Sequence, residues 1–171
     1  MYIRDVCSDD LPVLQDIEVA AGRLFHEVSM PEIANDPPPS VERLAEHQRA
    51  GLAWVVTDDE TGPAGYLVAD EVDGNLHIEQ LSVLPSHGRR GLGRTLIARA
   101  EREAADRGLP AVTLTTFLSV PWNAPYYLRC GFEVIGRERE TAGLRRIRAQ
   151  EAEAGLDQWP RVCMRKAVVR A

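Results

Sequence analysis

Three cysteines, Cys7, Cys130 and Cys163, are all that the 171 residues contain, and no two of them form a C-x-x-C pair. An odd, widely spaced set argues against a disulfide framework and against a zinc site. It is the usage expected of reduced thiols in a cytoplasmic protein, most of them small core residues. No apolar run reaches the 18 or so residues of a membrane-spanning helix. The first ten residues, MYIRDVCSDD, meet acidic groups at once and lack the apolar stretch of a signal peptide. An excess of positive charge is missing too: the formal net charge is −6 and the pI about 5.3. That leaves no basic footprint for a nucleic acid and suits a cationic substrate. Internal repeats and low-complexity tracts are absent. The length fits a single domain spanning residues 1–171, which should bury roughly 70% of the unfolded chain's surface.

What is present is an alternation of strand and helix signals. Tyr2–Val6 is expected as a strand, with Ser8, Asp9 and Asp10 offering caps for a helix to about Ala21. His26–Ser40 is expected as a loop, because Asp36-Pro37-Pro38-Pro39 fits neither helix nor central strand. Ser40 can cap a further helix through Ala50. Leu52–Thr57 and Pro63–Ala69 read as a hairpin about Asp58-Asp59-Glu60-Thr61-Gly62, and Asp73-Gly74-Asn75 turns into a strand over Leu76–Leu84. Gly91–Arg107 carries Leu92, Leu96, Ile97, Ala100 and Ala104 at helical spacing and stops at Gly108. A strand over Ala111–Leu118, a short helix from Asn123 to Cys130, a strand over Phe132–Glu138, a helix over Thr141–Ala154 and a last strand over Arg161–Val169 complete the chain. The order β-α-α-β-β-β-α-β-α-β-α-β predicts a mixed α/β fold: a twisted, largely antiparallel sheet flanked by helices, with one β-α-β crossover.

One stretch carries chemistry. SHGRRGLGRT, Ser86–Thr95, places three glycines and three arginines between a strand and a helix. Backbone free to approach closely, positive charge and a helix N-terminus together make a phosphate site. Three ligands fit such a loop. As a nucleotide P-loop, Gly88, Gly93 and Thr95 match, but Arg94 stands where lysine must reach the terminal phosphates, and AVTLTTF supplies no strand-end aspartate for magnesium. As a dinucleotide fingerprint, Gly91 and Gly93 match, but Leu96 replaces the third glycine and no acidic residue ends the next strand.

In the third reading, the stretch from Leu81 through GRRGLGRTLI into an amphipathic helix resembles motif A of the GNAT superfamily, acyltransferases that use acetyl-CoA. Gly91 and Gly93 take its two small positions, and Gly88 stands where the family has Gln or Arg. A second stretch, Trp122-Asn123-Ala124-Pro125-Tyr126-Tyr127-Leu128-Arg129-Cys130-Gly131-Phe132, resembles the family's later motif, with Tyr127 four residues before Gly131. The resemblance covers Leu76–Glu138 well and the N-terminal third only in the order of elements.

The resemblance implies a GNAT-like fold and acetyl transfer from acetyl-CoA to a primary amine, without a metal. Backbone N–H groups of Gly88, Arg89, Arg90, Gly91, Leu92, Gly93, Arg94 and Thr95 would take the pyrophosphate, with the arginines adding charge-assisted bonds. Asn123 would touch the pantetheine arm, or serve only as a helix cap. Glu79 matches the strand-borne glutamate that takes the amine's proton, and Tyr127 the tyrosine that protonates the departing thiolate. Backbone N–H groups near Leu81 and Val83 would meet the oxyanion. Strict alternation places His77, Glu79, Leu81 and Val83 on one face of their strand. The acceptor is expected to be a small-molecule amine bound near Phe25–Glu32, with no nucleic-acid or membrane partner and with room for a homodimer. A protein lysine or N-terminal acetyltransferase, and a non-catalytic acetyl-CoA sensor, are the other readings.

Overall fold

The computed structural model describes residues 1–169. The chain divides into two compact units, one formed by Met1–Asp70 with Ile78–Arg99, the other by Glu71–His77 with Ala100 onwards. Among the described residues the strands are β1 (Tyr2–Asp5), β2 (Ala53–Asp58), β3 (Gly62–Val72), β4 (Asn75–Val83), β5 (Ala111–Phe117), β6 (Glu133–Ile135) and β7 (Arg161–Ala167). The helices are α1 (Leu11–Gly22), α2 (Pro31–Ala34), α3 (Val41–Arg49), α4 (Leu92–Asp106), α5 (Ala124–Arg129) and α6 (Ala142–Glu153). Hydrogen bonding orders the strands β1-β2-β3-β4-β5-β7-β6. The pairs β1–β2, β2–β3, β5–β7 and β6–β7 are antiparallel, and β4–β5 is parallel, joined through α4. This is the mixed α/β class that the element order predicts.

In the first unit α1 and α3 cover one face of the strands. Leu14 and Ile17 of α1 and Leu44 of α3 pack with Ala53, Val55, Tyr66 and Val68, all nearly excluded from water. Burying a side chain of that size stabilises by roughly 1.5–3 kcal/mol, so this cluster fixes which face of β3 the helices see. Ser40 caps α3 as its position suggests, its hydroxyl accepting from Arg43 N at 3.2 Å. On the other face Arg99 lies over the buried Trp54 ring, 4.8 Å from its centre. In the second unit the β3–β4 turn is tied to the start of α6. The Asp73 carboxylate accepts from Gly143 N at 2.7 Å and from the Thr141 hydroxyl.

Two expectations need correction. His26–Ser40 is not loop throughout. Arg23–Val28 forms a 3-10 turn running on from α1, and Pro31–Ala34 forms the one-turn α2. The triple proline restricts only the residues after Asn35, and Pro31 itself sits where proline starts a helix readily. The strand expected over Phe132–Glu138 is short: β6 covers Glu133–Ile135, and Arg137–Arg139 turns as a 3-10 helix.

Candidate active site

The glycine-rich loop begins with a 3-10 turn over Pro85–His87. Its anchor is His87, buried at 8% exposure. One ring nitrogen, Nε2, lies 3.2 Å from the Thr61 hydroxyl and 4.0 Å from Asp58, and the other, Nδ1, lies 3.0 Å from the Ser86 hydroxyl. Arg90 reaches the same Asp58 at 3.7 Å. The hairpin turn between β2 and β3 therefore holds the loop from behind. Beyond the anchor the backbone turns left-handed twice, at Arg89 (φ 59°) and Gly91 (φ 81°). A Cβ built on Gly91 would meet no atom within 4 Å, so the glycine is required by its φ and stands beside open space. Helix α4 starts at once, and the N–H groups of its first turn lack partners within the helix. With 15 residues behind it, this end carries a positive partial charge. Donors, positive charge and open space beside Gly91 together make this end of α4 suited to an anion.

Strand β4 leads into that loop, and its side chains change phase. Glu79 faces α3, its Oε1 3.8 Å from Arg43 Nη2. Ser82 faces α1, its hydroxyl donating to Glu18 at 2.5 Å, and Leu84 packs on the cluster beneath α1 and α3. Positions 79 and 82 are an odd number apart yet share the α1–α3 face, so the alternation slips once between them, as at a β-bulge. The expected face of His77, Glu79, Leu81 and Val83 is thereby corrected: Leu81 and Val83 lie out of phase with Glu79. His77 is buried, its Nδ1 2.9 Å from the Thr113 hydroxyl. A slipped strand turns backbone N–H groups out of the ladder, at the place where the sequence reading puts oxyanion donors.

The Glu79 side chain is exposed at the surface, 43% accessible, with its carboxyl lying among α3 and β3 groups, and its proton affinity is pushed up. Partial burial is the larger cause, the negative Asp70 beside it adds to this, and Arg43 and His47 oppose it. Asp70 is held the other way, below the usual carboxylate range, chiefly by the hydrogen bond from His47, with Arg43 adding to it against the cost of burial. A second poised carboxyl, Glu18 of α1, accepts from Tyr66 Oη at 2.9 Å as well as from Ser82. Burial raises its proton affinity against the pull of Ser82, Tyr66 and Gln80.

In the second unit, α5 positions Tyr127. The ring is 8% exposed and packs edge-on against Tyr126 and Phe132, with centres 5.5 and 5.6 Å away. Burial, then the neighbouring Tyr126 and Cys130, hold its phenol protonated far above neutral pH. Among the described residues its hydroxyl makes no hydrogen bond, whereas the phenol of Tyr66 is committed to Glu18. Asn123 occupies the N-cap position of α5, but its side chain makes no cap bond; its carbonyl accepts from Tyr126 N and Tyr127 N.

The family model described as Acetyltransferase (GNAT) family matches residues 21–132, well over half of the chain. The chain belongs to the GNAT acetyltransferase family. Solved structures agree on the fold. The ribosomal-protein-S18-alanine N-acetyltransferase from Escherichia coli aligns at TM-score 0.67 and 21% identity, over 99% of this chain and 95% of that one. The PaiA N-acetyltransferase from Thermoplasma acidophilum, solved with coenzyme A, aligns at 0.68 and 15%, over 97% and 98%. N-acetylglutamate synthase from Neisseria gonorrhoeae aligns at 0.71 and 15%, over 99% of this chain but 35% of its own.

For this GNAT acetyltransferase, the structure brings the glycine loop, the start of α4 and Glu79 into one unit and leaves Tyr127 and Asn123 in the other. Arg90 is partly committed to Asp58; Arg89 and Arg94 are exposed. Sequence reasoning missed Glu18, Asp70, Arg43 and His47. The one local signal was Arg43 and His47, four apart on α3 and so on one helix face. Near the expected acceptor region, a cleft of about 510 Å³ is lined by residues including Val19, Arg23, His26, Asp36 and Pro37. Its lining carries polar groups of both signs, Arg23 and Asp36 among them. No group of three His, Cys, Asp or Glu among the described residues is placed to hold a metal ion, and no described helix is long and apolar enough to cross a membrane.

Proposed function

We propose that this acetyltransferase moves an acetyl group from acetyl-CoA directly to the primary amine of a small molecule. The setting is the cytoplasm, where its three unpaired cysteines stay reduced. The reading is carried by one observation: a left-handed glycine beside open space, at the start of a long helix, with exposed arginines around it. Those donors suit the pyrophosphate of the acyl donor. A lysine-like amine, pKa near 10.4, is neutral in only about one molecule in a thousand at pH 7. Glu79 accepts a proton from the ammonium, and the freed nitrogen attacks the thioester carbonyl. Backbone N–H groups by the β4 slip take the negative charge that forms on oxygen. The carbon–sulfur bond then breaks, and Tyr127 gives its phenolic proton to sulfur. A thiol of pKa about 8.5 leaves without great difficulty, so the acid assists and the base is the more demanding role.

Gly91→Val tests the donor site. A side chain is strained at φ 81° and would fill the open space, so calorimetry should show CoA affinity falling by about 100-fold, of the order of one strained residue plus one lost anion contact. Unchanged affinity would move the donor site elsewhere. A panel of small amines and N-terminal peptides, read by release of free thiol, identifies the acceptor class. Peptides alone as acceptors would make the protein-directed reading the correct one. Thioester hydrolysis indifferent to every amine would make the protein a sensor.

A further inference from the structure

Glu79 does not stand alone. One nitrogen of α3, Arg43 Nη2, lies 2.6 Å from Asp70 Oδ2 and 3.8 Å from Glu79 Oε1, so both carboxyls gather on one guanidinium corner. The other terminal nitrogen, Nη1, is taken by Glu46 at 2.8 Å. On its far side Asp70 meets His47, whose Nδ1 is 3.3 Å from Asp70 Oδ1 and 2.9 Å from the Ala69 carbonyl. His47 is 2% exposed, and its Nε2 is buried with no hydrogen-bond partner among the described residues. A proton on Nε2 would be a buried donor with nothing to bond. The ring proton therefore belongs on Nδ1, which faces two acceptors. Asp70 thus receives two donors from α3, and Glu79 has only the longer contact to a cation already shared.

We infer that Asp70 is a positioning residue for the base: clamped by Arg43 and His47, it holds a fixed carboxylate against Glu79, so that Glu79 takes the substrate's proton as one member of a carboxyl pair. The inference rests on the reading of Glu79 as the base and goes beyond it by naming what makes that base able to act. When the ammonium gives up its proton, the N–H bond breaks and an O–H bond forms on Glu79. The new carboxylic acid then donates a hydrogen bond to ionised Asp70, which gathers on the same Arg43 nitrogen as Glu79. The charges of the ammonium and of Glu79 cancel, and the negative charge that remains is the one on Asp70, where two donors hold it. Paired carboxyls hold a proton between them because both cannot ionise cheaply at short range. Arg43 keeps the pair from drawing in a second proton. The groups that face Glu79 are Arg43, with Glu46 behind it, and His47 from α3, and Asp70 from β3. Their balance raises Glu79, with burial the leading cause and Asp70 the leading charge.

The test needs no acceptor. In the full-length protein labelled with carbon-13 at side-chain carboxyls, NMR titration follows Glu79 and Asp70 separately. Asp70→Asn should lower the Glu79 midpoint by about one pH unit, as the loss of a close like charge does. By reciprocity Glu79→Gln should lower the Asp70 midpoint by a similar amount, and this second reading stands even if Asp70→Asn fails to fold. A Glu79 midpoint that stays put in a folded Asp70→Asn protein, or an Asp70 midpoint that stays put in Glu79→Gln, overturns the inference and leaves Glu79 free to be a solitary base. Full kcat/KM in Glu79→Gln with the best amine of the panel overturns the base reading, and the inference with it.

Discussion

Glu79 in one unit and Glu151 in the other are both carboxyls set among charged neighbours, and they are driven in opposite directions. Glu151 of α6 receives Arg161 through Nε at 3.1 Å and Nη2 at 3.0 Å, Arg148 at 2.5 Å, and the Thr115 hydroxyl. Burial pushes its proton affinity up, but Arg161 first, then Thr115 and Arg148, outweigh it and hold the group below the usual range. Glu79 has one shared cation at 3.8 Å and a carboxylate at its side, and it rises. Glu151 is the more deeply covered, its side chain 13% exposed against 43% for Glu79, yet it is the one held down, because it has more donors per charge. A carboxylate saturated with donors is fixed in one protonation state and serves the fold. One left short of donors has its proton affinity raised, which is the direction catalysis asks of a base.

The sharpest separation of the two comes from neutralising each in turn. Glu79→Gln keeps shape and removes the base. Its kcat/KM should fall about 1,000-fold near pH 6, within the range of general base catalysis, and recover in part as pH rises and solvent deprotonates the amine. Its thermal midpoint should barely move. A parallel pH profile of undiminished height would place the base elsewhere. Glu151→Ala should do the reverse. It strips the counter-charge from Arg161 and Arg148, whose side chains are only 9% and 12% exposed. The expected loss is about 3–4 kcal/mol of stability, the cost of breaking a buried pair from one side, measured by denaturant unfolding. The sign of its pH dependence is fixed by the lowered folded-state affinity. The stabilisation is complete above the ordinary glutamate value of 4.5 and fades as pH falls through the lower folded one. A variant as stable as the parent would break the comparison.

Tyrosines extend the contrast. Tyr66 and Tyr127 are both buried and both raised, but only Tyr66 has a partner for its hydroxyl. Tyr127→Phe keeps the aromatic packing and should lower kcat about 100-fold with CoA affinity unchanged. Equal kcat would reduce Tyr127 to a packing residue. Glu18→Gln should have the smallest effect. Because burial raises the folded-state affinity of Glu18, the native state binds more protons than the unfolded one above pH 4.5, and stability declines there with rising pH. Replacing the carboxyl removes that decline. Stability at pH 7 should therefore stay level or improve by about 1 kcal/mol; a larger loss would make the Tyr66–Glu18–Ser82 bonds a structural clamp.

Elements whose signal is local were legible in the sequence. Leu92, Leu96, Ile97, Ala100 and Ala104 all face inward from α4, and Gly108 (φ 70°) ends the helix as expected. Ser40 caps α3, and the loop glycines sit at the helix start. The missed features arise between segments far apart in the chain. Nothing around Glu79 announces Asp70, and nothing around Asp70 announces Arg43 or His47; they meet because β3, β4 and α3 pack together in one unit. The slip in β4 was hidden for a different reason: His77-Ile78-Glu79-Gln80-Leu81-Ser82-Val83 reads as clean alternation, and only the partners of Glu79 and Ser82 expose the change of phase. The turns at Arg23–Val28 and Pro31–Ala34 were masked by the prolines after them, which govern only their own neighbourhood.

The change of phase in β4 makes this strand respond to a change of length differently from an ordinary strand. Two added residues preserve any strand's parity, and a regular strand loses its faces on a single deletion. Here a single deletion between Glu79 and Ser82 would leave the two an even number apart, so the repaired strand would alternate perfectly and still turn Glu79, Ser82 and Leu84 toward α1 and α3. What it would lose is the extra residue, and with it the backbone N–H groups that a slip turns out of the ladder. A length difference of one residue at this point, met when relatives are aligned, therefore marks the presence or absence of those donors and not a reversal of the side-chain faces.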